Sequence, residues 1–336
     1  MVTNDPGDAA VQRRSRAYRD GRLVAENFPM ADVSDWLGHK DATVWLDLPD
    51  PTPKELDELA EELGLHELAV EDVLRGRQRP KVDRYEGHQL FYAYAVRVGD
   101  DLQLEPVPVT AFMTRQALIT VHQAGEFDIE DVVARWDGSA DLASHGCGFL
   151  LWALLDHVVD GYFRALQVFD DEVEELSDQV FDMGGNPSGD EMLRLYRLRR
   201  ALLTARRVIT PMREVVNSLV HLRHEIGNGS SELAPYYQDV YDHAIRAAEW
   251  TDNLRDLIGT IRETQLAIQG NRMNLIMKKV TSWAAIIAVP TAVTGWYGQN
   301  LPYPGFQTTA GFWTSNGIII TLSIGLYIAF RRRDWL

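Results

Sequence analysis

Two apolar stretches decide the fold: VTSWAAIIAVPTAVTGWY at residues 280–297 and FWTSNGIIITLSIGLYIAF at residues 312–330. No Asp, Glu, Lys, Arg or His occurs between Val280 and Phe330, although 24% of the chain is charged. Each stretch comes close to the roughly 20 residues with which an α-helix crosses a ~30 Å hydrocarbon layer. We therefore predict a transmembrane helix at each place. The alternative is a buried hairpin of a soluble protein, but its helices would need a polar stripe facing solvent.

Basic residues flank this pair of helices on both outer sides. They are Lys278, Lys279, Arg331, Arg332 and Arg333. Because cytoplasmic flanks carry the excess of Lys and Arg, we expect both termini and a ring of these basic residues on the cytoplasmic side. The basic tail is 331–336, and the uncharged linker 298–311 is expected outside. The first 22 residues contain no apolar run, so we expect no cleavable signal peptide. The predicted location is a cell (inner) membrane that the chain crosses twice.

The composition of the 336 residues excludes several classes of protein. Asp and Glu number 49 against 33 Lys and Arg, and the net charge of −16 argues against a nucleic-acid partner. The single cysteine, Cys147, excludes an internal disulfide and a multi-cysteine metal site. It opens an apolar helix beside His145, so we expect a buried thiol rather than a nucleophile. No set of residues indicates an enzyme or an organic cofactor.

The part expected in the cytoplasm begins with a polar tail, residues 1–22, which we predict to be disordered. Residues 23–148 then alternate between strand and helix patterns. Thr52 and Glu55 form a capping box around Pro53, so a helix should begin there. Strands are predicted at 43–48, 89–98, 107–113 and 117–122, and a further helix at 129–136. This order predicts an α/β domain with a mixed sheet.

Every periodic segment after residue 148 is helical. Residues 149–230 are expected to form an antiparallel hairpin, with an acidic helix at 150–181 and an arginine-rich return from Asp190, so that the charges pair between them. Residues 231–297 form a stalk helix that continues into the first transmembrane helix. A heptad pattern along the stalk predicts helices associating side by side, and we expect this seam to assemble several chains. Its members are Val240, Ala244, Ala247, Thr251, Leu254, Ile258, Ile261, Gln265 and Ile268.

A stripe of small and polar residues continues this spacing into the membrane. Its members are Asn274, Met277, Thr281, Ala284, Ala288 and Thr291. One interpretation is close packing of membrane helices, which small residues permit. The other is a pore wall, which requires several chains because two helices cannot enclose a water-filled path. Such a wall suits a hydrated divalent cation, since Mg²⁺ gives up its water reluctantly. We expect Asn300 to form a ring of oxygen ligands at the outer mouth.

Tyr297-Gly298-Gln299-Asn300 resembles the Tyr-Gly-Met-Asn signature of the CorA magnesium transporters. Other blocks of the chain resemble the same family, and the similarity extends over about residues 40–336. These blocks are residues 78–82, 156–163, 239–243, 274–281 and 331–336. The chain is thus identified as a CorA-like protein: an α+β membrane protein with a cytoplasmic α/β/α domain, a long stalk helix and two C-terminal transmembrane helices.

The resemblance implies a homopentamer in the lipid bilayer that passes Mg²⁺, and also Co²⁺ or Ni²⁺, through a pore lined by the first transmembrane helix. It implies a selectivity filter formed by Tyr297, Gly298, Gln299 and Asn300, and an inner polar ring and gate at Asn274 and Met277. It also implies that cytoplasmic Mg²⁺ binds between neighbouring domains and holds the pore closed. Asp239 and Glu86 are the residues that align with this regulatory metal site.

Three departures from the family pattern leave alternatives open. Gln299 replaces the usual Met of the filter, the loop 301–312 lacks an acidic residue, and only Glu86 of the Glu86-Gly87 pair could serve the sensor. One alternative is a zinc transporter of the wider family. Another is a membrane-anchored cytoplasmic sensor that conducts nothing. Asp239, Asp242 and His243 share one helical face, a spacing that suits a transition metal. For Asp242 and His243 we favour the other interpretation, a charged surface of the stalk.

Overall fold

The computed structural model describes residues 13–76, 78–182, 189–221, 232–299, 302 and 304–336. The chain divides into two compact units. The first unit consists of Met1–Ser177 and Ser188–Gly259, and the second unit of Asp178–Pro187 and Thr260–Leu336. The strands lie in the first unit, and the two apolar stretches lie in the second.

A seven-stranded sheet forms the centre of the first unit, in the spatial order β2-β1-β3-β7-β6-β5-β4. The strands are β1 Arg14–Arg19, β2 Arg22–Glu26, β3 Ala42–Pro49, β4 Lys81–Tyr85, β5 His88–Val98, β6 Leu104–Met113 and β7 Ala117–His122. β3 and β7 pair in parallel, whereas the other neighbours are antiparallel. The prediction of a mixed sheet is therefore confirmed.

Helices account for most of the remaining described chain. They are α1 Val33–Leu37, α2 Pro53–Leu63, α3 Glu67–Arg75, α4 Ile129–Asp137, α5 Ala140–Ala143, α6 Cys147–Asp182, α7 Gly189–His221, α8 Ala234–Tyr297 and α9 Thr309–Arg332. The capping box at the start of α2 is present: Thr52 accepts a hydrogen bond from the Glu55 amide, and the Glu55 carboxylate accepts one from the Thr52 amide. Local sequence thus starts this helix.

The sheet is covered by helices on both faces. On one face Leu46 and Leu48 of β3 share a buried core with Leu56 and Leu59 of α2. On the other face Trp45 packs edge-on against Trp136 of α4, with ring centroids 4.6 Å apart. The alternation follows from the two-residue period of a strand. The predicted α/β/α architecture is confirmed.

The prediction of a disordered tail over residues 1–22 is wrong for the part that the structure describes. β1 and β2 occupy residues 14–26, and β1 pairs with both β2 and β3. Ser15 and Ala17 are buried, while Arg16 forms ion pairs with Glu26 and Asp137. Charged side chains on the outer face made this strand look like a polar tail. Residues 1–12 lie outside the described residues.

A buried ion pair lies between the two parallel strands. His122 of β7 places Nε2 3.1 Å from the Asp47 carboxylate of β3, and its Nδ1 lies 3.0 Å from the Gln123 carbonyl. Both ring nitrogens therefore face acceptors, which favours the imidazolium form. Burial lowers the pKa of His122, but the Asp47 carboxylate together with the Gln123 carbonyl and Asp50 more than offsets this, and the net pKa is raised. This pair was not predicted from the sequence.

The acidic helix α6 and the arginine-rich helix α7 form ion pairs with each other, as predicted. Arg194 of α7 forms ion pairs with Glu172 and Glu175 of α6, at 2.7 and 3.0 Å. The predicted buried thiol is also present: Cys147 is 5% exposed, and burial raises its pKa to about 12. A thiol with so high a pKa is a poor nucleophile at neutral pH.

The heptad seam of α8 packs within the single chain, whereas we expected it to join several chains. Within the first unit Val240 and Ala247 are fully buried, and Leu254 is 2% exposed, in a single chain. Within the second unit Ile261 and Gln265 are also buried. The seam is therefore covered by the chain's own residues, so these positions are not the surface that joins several chains. The pattern correctly predicted helix packing, but the assignment of that packing to chain assembly is wrong.

Candidate functional site

The second unit carries the candidate site. Its parts of α8 and α9 are each long and apolar enough to span a membrane. Within the most apolar window of each helix, 6% of the residues of α8 and none of α9 are buried by the chain itself. Surfaces this apolar and this exposed need lipid or further protein copies to cover them.

The predicted pore stripe lies on one exposed face of α8. Every member from Asn274 to Thr291 is exposed in the single chain. Every residue from 271 to 281 is exposed, and the buried and half-buried positions beyond them, such as Ser282, Val289 and Val293, lie away from the stripe. The chain therefore covers part of this helix after residue 281 and leaves the stripe open, although Ile287, off the stripe, is exposed as well.

Hydroxyl groups on and beside the stripe are oriented by their own helix. Thr291 Oγ1 donates to the Ile287 carbonyl at 3.3 Å, and Thr294 Oγ1 donates to the Pro290 carbonyl at 2.8 Å. A hydroxyl whose proton is engaged in this way keeps its oxygen lone pairs free to accept. Thr291 thus keeps an oxygen acceptor on the exposed face of the helix.

The described part of the predicted filter continues the helix end. Gly298 donates from its amide to the Thr294 carbonyl at 2.8 Å, and Gln299 to the Trp296 carbonyl at 3.3 Å. A Cβ atom at Gly298 would lie 2.9 Å from the Thr294 carbonyl oxygen, closer than side chains tolerate. Gly298 is therefore required by the close approach of the backbone after Tyr297. Asn300 lies outside the described residues.

The predicted basic residues lie next to the ends of the apolar segments. Lys278 and Lys279 are exposed on α8, and Arg331 and Arg332 occupy the last turn of α9, where cations complement the helix dipole. The tail then folds back, because the Trp335 amide donates to the Phe330 carbonyl at 3.0 Å and the two rings stack. This contact fixes the chain just after Arg333.

The two predicted regulatory residues are both exposed and lie in the first unit. Glu86 occupies the turn between β4 and β5. The Asp239 side chain is 65% exposed, and its carboxylate lies 3.8 Å from His243 Nε2. The third member of the predicted transition-metal face, Asp242, instead accepts from Gln238. Exposure leaves Glu86 and Asp239 available to a neighbouring chain.

His243 meets two carboxylates that we did not predict as its partners. Ligand atoms of Asp156, Asp160 and His243 all lie within 4.8 Å of one another. Arg135 already forms ion pairs with both carboxylates. Arg135 thus offsets part of the negative charge of the two carboxylates. The i, i+4 spacing of Asp156 and Asp160 on α6 was the available signal, whereas the approach of α8 was not visible in the sequence.

Comparison with known proteins decides the family. A family model described as "CorA-like Mg2+ transporter protein" matches residues 40–332. The chain belongs to this family. Members of the CorA family are transporters, and the two apolar helices agree with an integral membrane protein. The resemblance found in the sequence is confirmed.

Individual relatives cover nearly the whole chain. A putative metal ion transporter of Bacillus subtilis, YfjQ, is 29% identical over 295 residues, 88% of this chain and 90% of the relative. The cobalt/magnesium transport protein CorA of Thermotoga maritima is 28% identical over 317 residues, 92% of this chain and 88% of the relative. The complete structure of CorA from Methanocaldococcus jannaschii is similar over 100% of both chains, with a TM-score of 0.73 and 24% identity. The last comparison confirms the fold.

Proposed function

We propose that this protein is a homo-oligomeric, membrane-potential-driven channel for hydrated divalent cations. Mg²⁺ is the principal ion, and Co²⁺ and Ni²⁺ are also accepted. The observation that carries the proposal is the open face of α8, where every residue of the stripe from Asn274 to Thr291 is exposed and the partly covered positions, all beyond residue 281, lie off the stripe. The names of relatives support the choice of ions, since the Thermotoga maritima protein is called a cobalt/magnesium transport protein.

The chemistry of the stripe suits an ion that keeps its water. Amide and hydroxyl oxygens of Asn274, Thr281 and Thr291 would accept hydrogen bonds from the hydration shell, and Met277 would narrow the inner end. At the outer end, Gly298 and Asn300 from each chain would form the filter. A carboxylate is not required there, because a doubly charged ion gains about 4.6 kcal/mol per 100 mV of potential.

The proposal includes how the copies assemble and how each copy is oriented in the membrane. Five copies around one axis would place five stripes on a shared pore, and the remaining apolar faces of α8 and α9 would contact lipid. Both termini would lie in the cytoplasm, with the basic residues that flank α8 and α9 at the inner surface of the membrane. The first unit, with its excess of acidic residues, would then extend into the cytoplasm.

We further propose that cytoplasmic Mg²⁺ closes the channel by binding between neighbouring first units. Asp239 of one copy and Glu86 of another would supply the carboxylates, and both are exposed. High Mg²⁺ should protect the first unit from proteolysis, and Asp239→Ala should weaken this protection. Equal cleavage rates of the native protein with and without Mg²⁺ would contradict this regulation while leaving the transport proposal intact.

Uptake into vesicles that hold the purified protein under an imposed potential tests the transport proposal. We expect Mg²⁺ flux, with competition by Co²⁺ and Ni²⁺, and a collapse of flux in Asn300→Ala without loss of assembly. Zn²⁺ flux without Mg²⁺ flux would favour the zinc transporter. The absence of any divalent flux from correctly assembled protein would favour a non-conducting sensor.

A further inference from the structure

An open groove of the first unit has no role in the proposed transport function. It has a volume of about 740 Å³ and lies between α7, the segment preceding β4, and strands β5 and β6. Small-molecule sites commonly measure roughly 300–1,000 Å³. The groove is therefore large enough for a nucleotide-sized molecule, and it lies in a different unit from the pore stripe.

The groove is basic although the protein is strongly acidic. Three arginines line it, Arg79, Arg206 and Arg207, and none of its described lining residues is a carboxylate. Arg206 is neutralised by an ion pair with Asp252 at 3.1 Å. Arg79 and Arg207 are exposed, and neither forms a salt bridge with a described residue. In a chain of net charge −16, this concave surface favours an anion.

A hydroxyl group lies beside the arginines. The Thr210 hydroxyl oxygen is buried and has no hydrogen-bond partner among the described residues. Thr210 follows Arg207 by three positions on α7, so the two side chains project to the same side of the helix. Leaving a buried hydroxyl without a partner is unfavourable, and a ligand oxygen would satisfy it once the atoms that cover the hydroxyl move aside.

Apolar and aromatic surface completes the groove. Pro80, Pro106 and Pro211 line it together with Tyr94. The Tyr94 hydroxyl donates to the Gln78 carbonyl at 2.6 Å, which holds the ring in place. A fixed aromatic ring next to prolines offers a flat surface for a planar ring system. Arginine matches phosphate in both charge and geometry.

We propose that the groove binds a phosphate-bearing ligand of nucleotide size. Arg79 and Arg207 contact the phosphates, Thr210 donates to a phosphate oxygen, and the base packs against Tyr94 and the prolines. A lipid headgroup shares the phosphate chemistry but lacks an aromatic base, so the Tyr94 surface favours a nucleotide. Because the groove belongs to the first unit, the inference does not depend on the transport proposal.

Calorimetric titration of the full-length protein, in detergent without added lipid or divalent metal, tests this inference with ATP as the probe. We expect ATP to bind, inorganic pyrophosphate to bind more weakly and adenosine not to bind. Arg79→Gln and Arg207→Gln should each weaken ATP binding about tenfold or more. Thr210→Val should weaken it several-fold, and added salt should weaken it further.

The matched control is Arg200→Gln, which removes the same charge from an exposed position of α7 outside the groove lining. It should leave ATP binding unchanged, and all variants should melt at the temperature of the native protein. Lack of ATP binding to the native protein, or equal weakening by Arg200→Gln, would overturn the inference. Binding of a soluble short-chain phosphoinositide without binding of ATP would also overturn it, by assigning the groove to a lipid headgroup.

Discussion

Two stretches of the same helix, α8, show the same three–four spacing and opposite exposure. In the first unit the spaced positions are buried, with Val240 at 0% and Leu254 at 2% exposure. In the second unit the spaced positions from Asn274 to Thr291 are all exposed. Periodicity therefore identifies a face of a helix but not the partner of that face. The first stretch finds its partner within the chain, whereas the second requires partners from outside it.

The chemistry of the two faces explains the difference. The buried stretch carries Val, Ala and Leu, whose burial stabilises a single chain by the hydrophobic effect. The exposed stretch combines small and polar side chains, which permit close packing against another membrane helix or the lining of a water-filled path. The wall of a water-filled pore between several chains would suit such a face.

A charged side chain introduced into the heptad seam should strongly destabilise the first unit. Leu254→Asp places a carboxylate at a position that is 2% exposed, so the free energy of unfolding should fall by about 3 kcal/mol or more. Leu257→Asp is the matched control, because that leucine lies on the same helix and is 43% exposed. Thermal unfolding of the full-length protein in detergent measures both. Equal melting temperatures would contradict a seam buried within one chain.

A larger side chain on the stripe should block the flux of Mg²⁺ without affecting the fold. Ala288→Phe adds a ring to the proposed pore wall, and we expect Mg²⁺ uptake into vesicles to fall at least about tenfold, equivalent to roughly 1.4 kcal/mol in barrier height. Ile287→Phe changes the adjacent exposed residue, which lies off the stripe, and should leave uptake unchanged. If both variants lose uptake equally, the stripe has no special role.

A larger side chain at the outer end of α8 should lower Mg²⁺ uptake by a smaller factor. Gly298→Ala forces a Cβ atom to within 2.9 Å of the Thr294 carbonyl oxygen, so the backbone of the filter must shift. We expect a several-fold loss of Mg²⁺ uptake. Gly325→Ala is the control, since nothing lies within 4 Å of its added Cβ atom. Native uptake by Gly298→Ala would show that the filter does not depend on this backbone position.

The smallest expected effect is a pH dependence confined to the first unit. The pKa of His122 is raised above its unfolded value of about 6.5, so its pairing with Asp47 stabilises fully below that pH. This stability should decline as the pH rises through the raised folded pKa. His122→Gln should flatten the decline in melting temperature between pH 6 and 9. A native protein whose melting is independent of pH over this range would contradict the charged pair.

The local parts of the fold could be predicted because their signals are contained in short segments. The Thr52–Glu55 capping box and the uncharged stretches 280–297 and 312–330 act within a few turns of helix. β1 was missed because its burial depends on distant partners in β3 and its arginines on Asp137 and Glu130. No local pattern reports such pairings.

The candidate site shows the same contrast between features with local signals and contacts between residues far apart in sequence. The stripe and Gly298 could be proposed from the sequence because helical spacing and a short motif define them. The meeting of His243 with Asp156 and Asp160, and the pair of His122 with Asp47, join residues that are far apart in sequence. The heptad seam was found but given the wrong partner, because an apolar helix face has the same pattern whether its partner is the same chain or another.

Cysteine labelling of the stripe shows whether this face of α8 lines a water-filled pore. Native Cys147 is buried, with a pKa raised to about 12, so it gives little background reaction. A charged, water-soluble methanethiosulfonate reagent would be added to vesicles holding Ala288→Cys or Ile287→Cys protein, and Mg²⁺ uptake would be followed under an imposed potential. The account predicts a progressive loss of uptake for Ala288→Cys and none for Ile287→Cys. Unchanged uptake by labelled Ala288→Cys protein would contradict it.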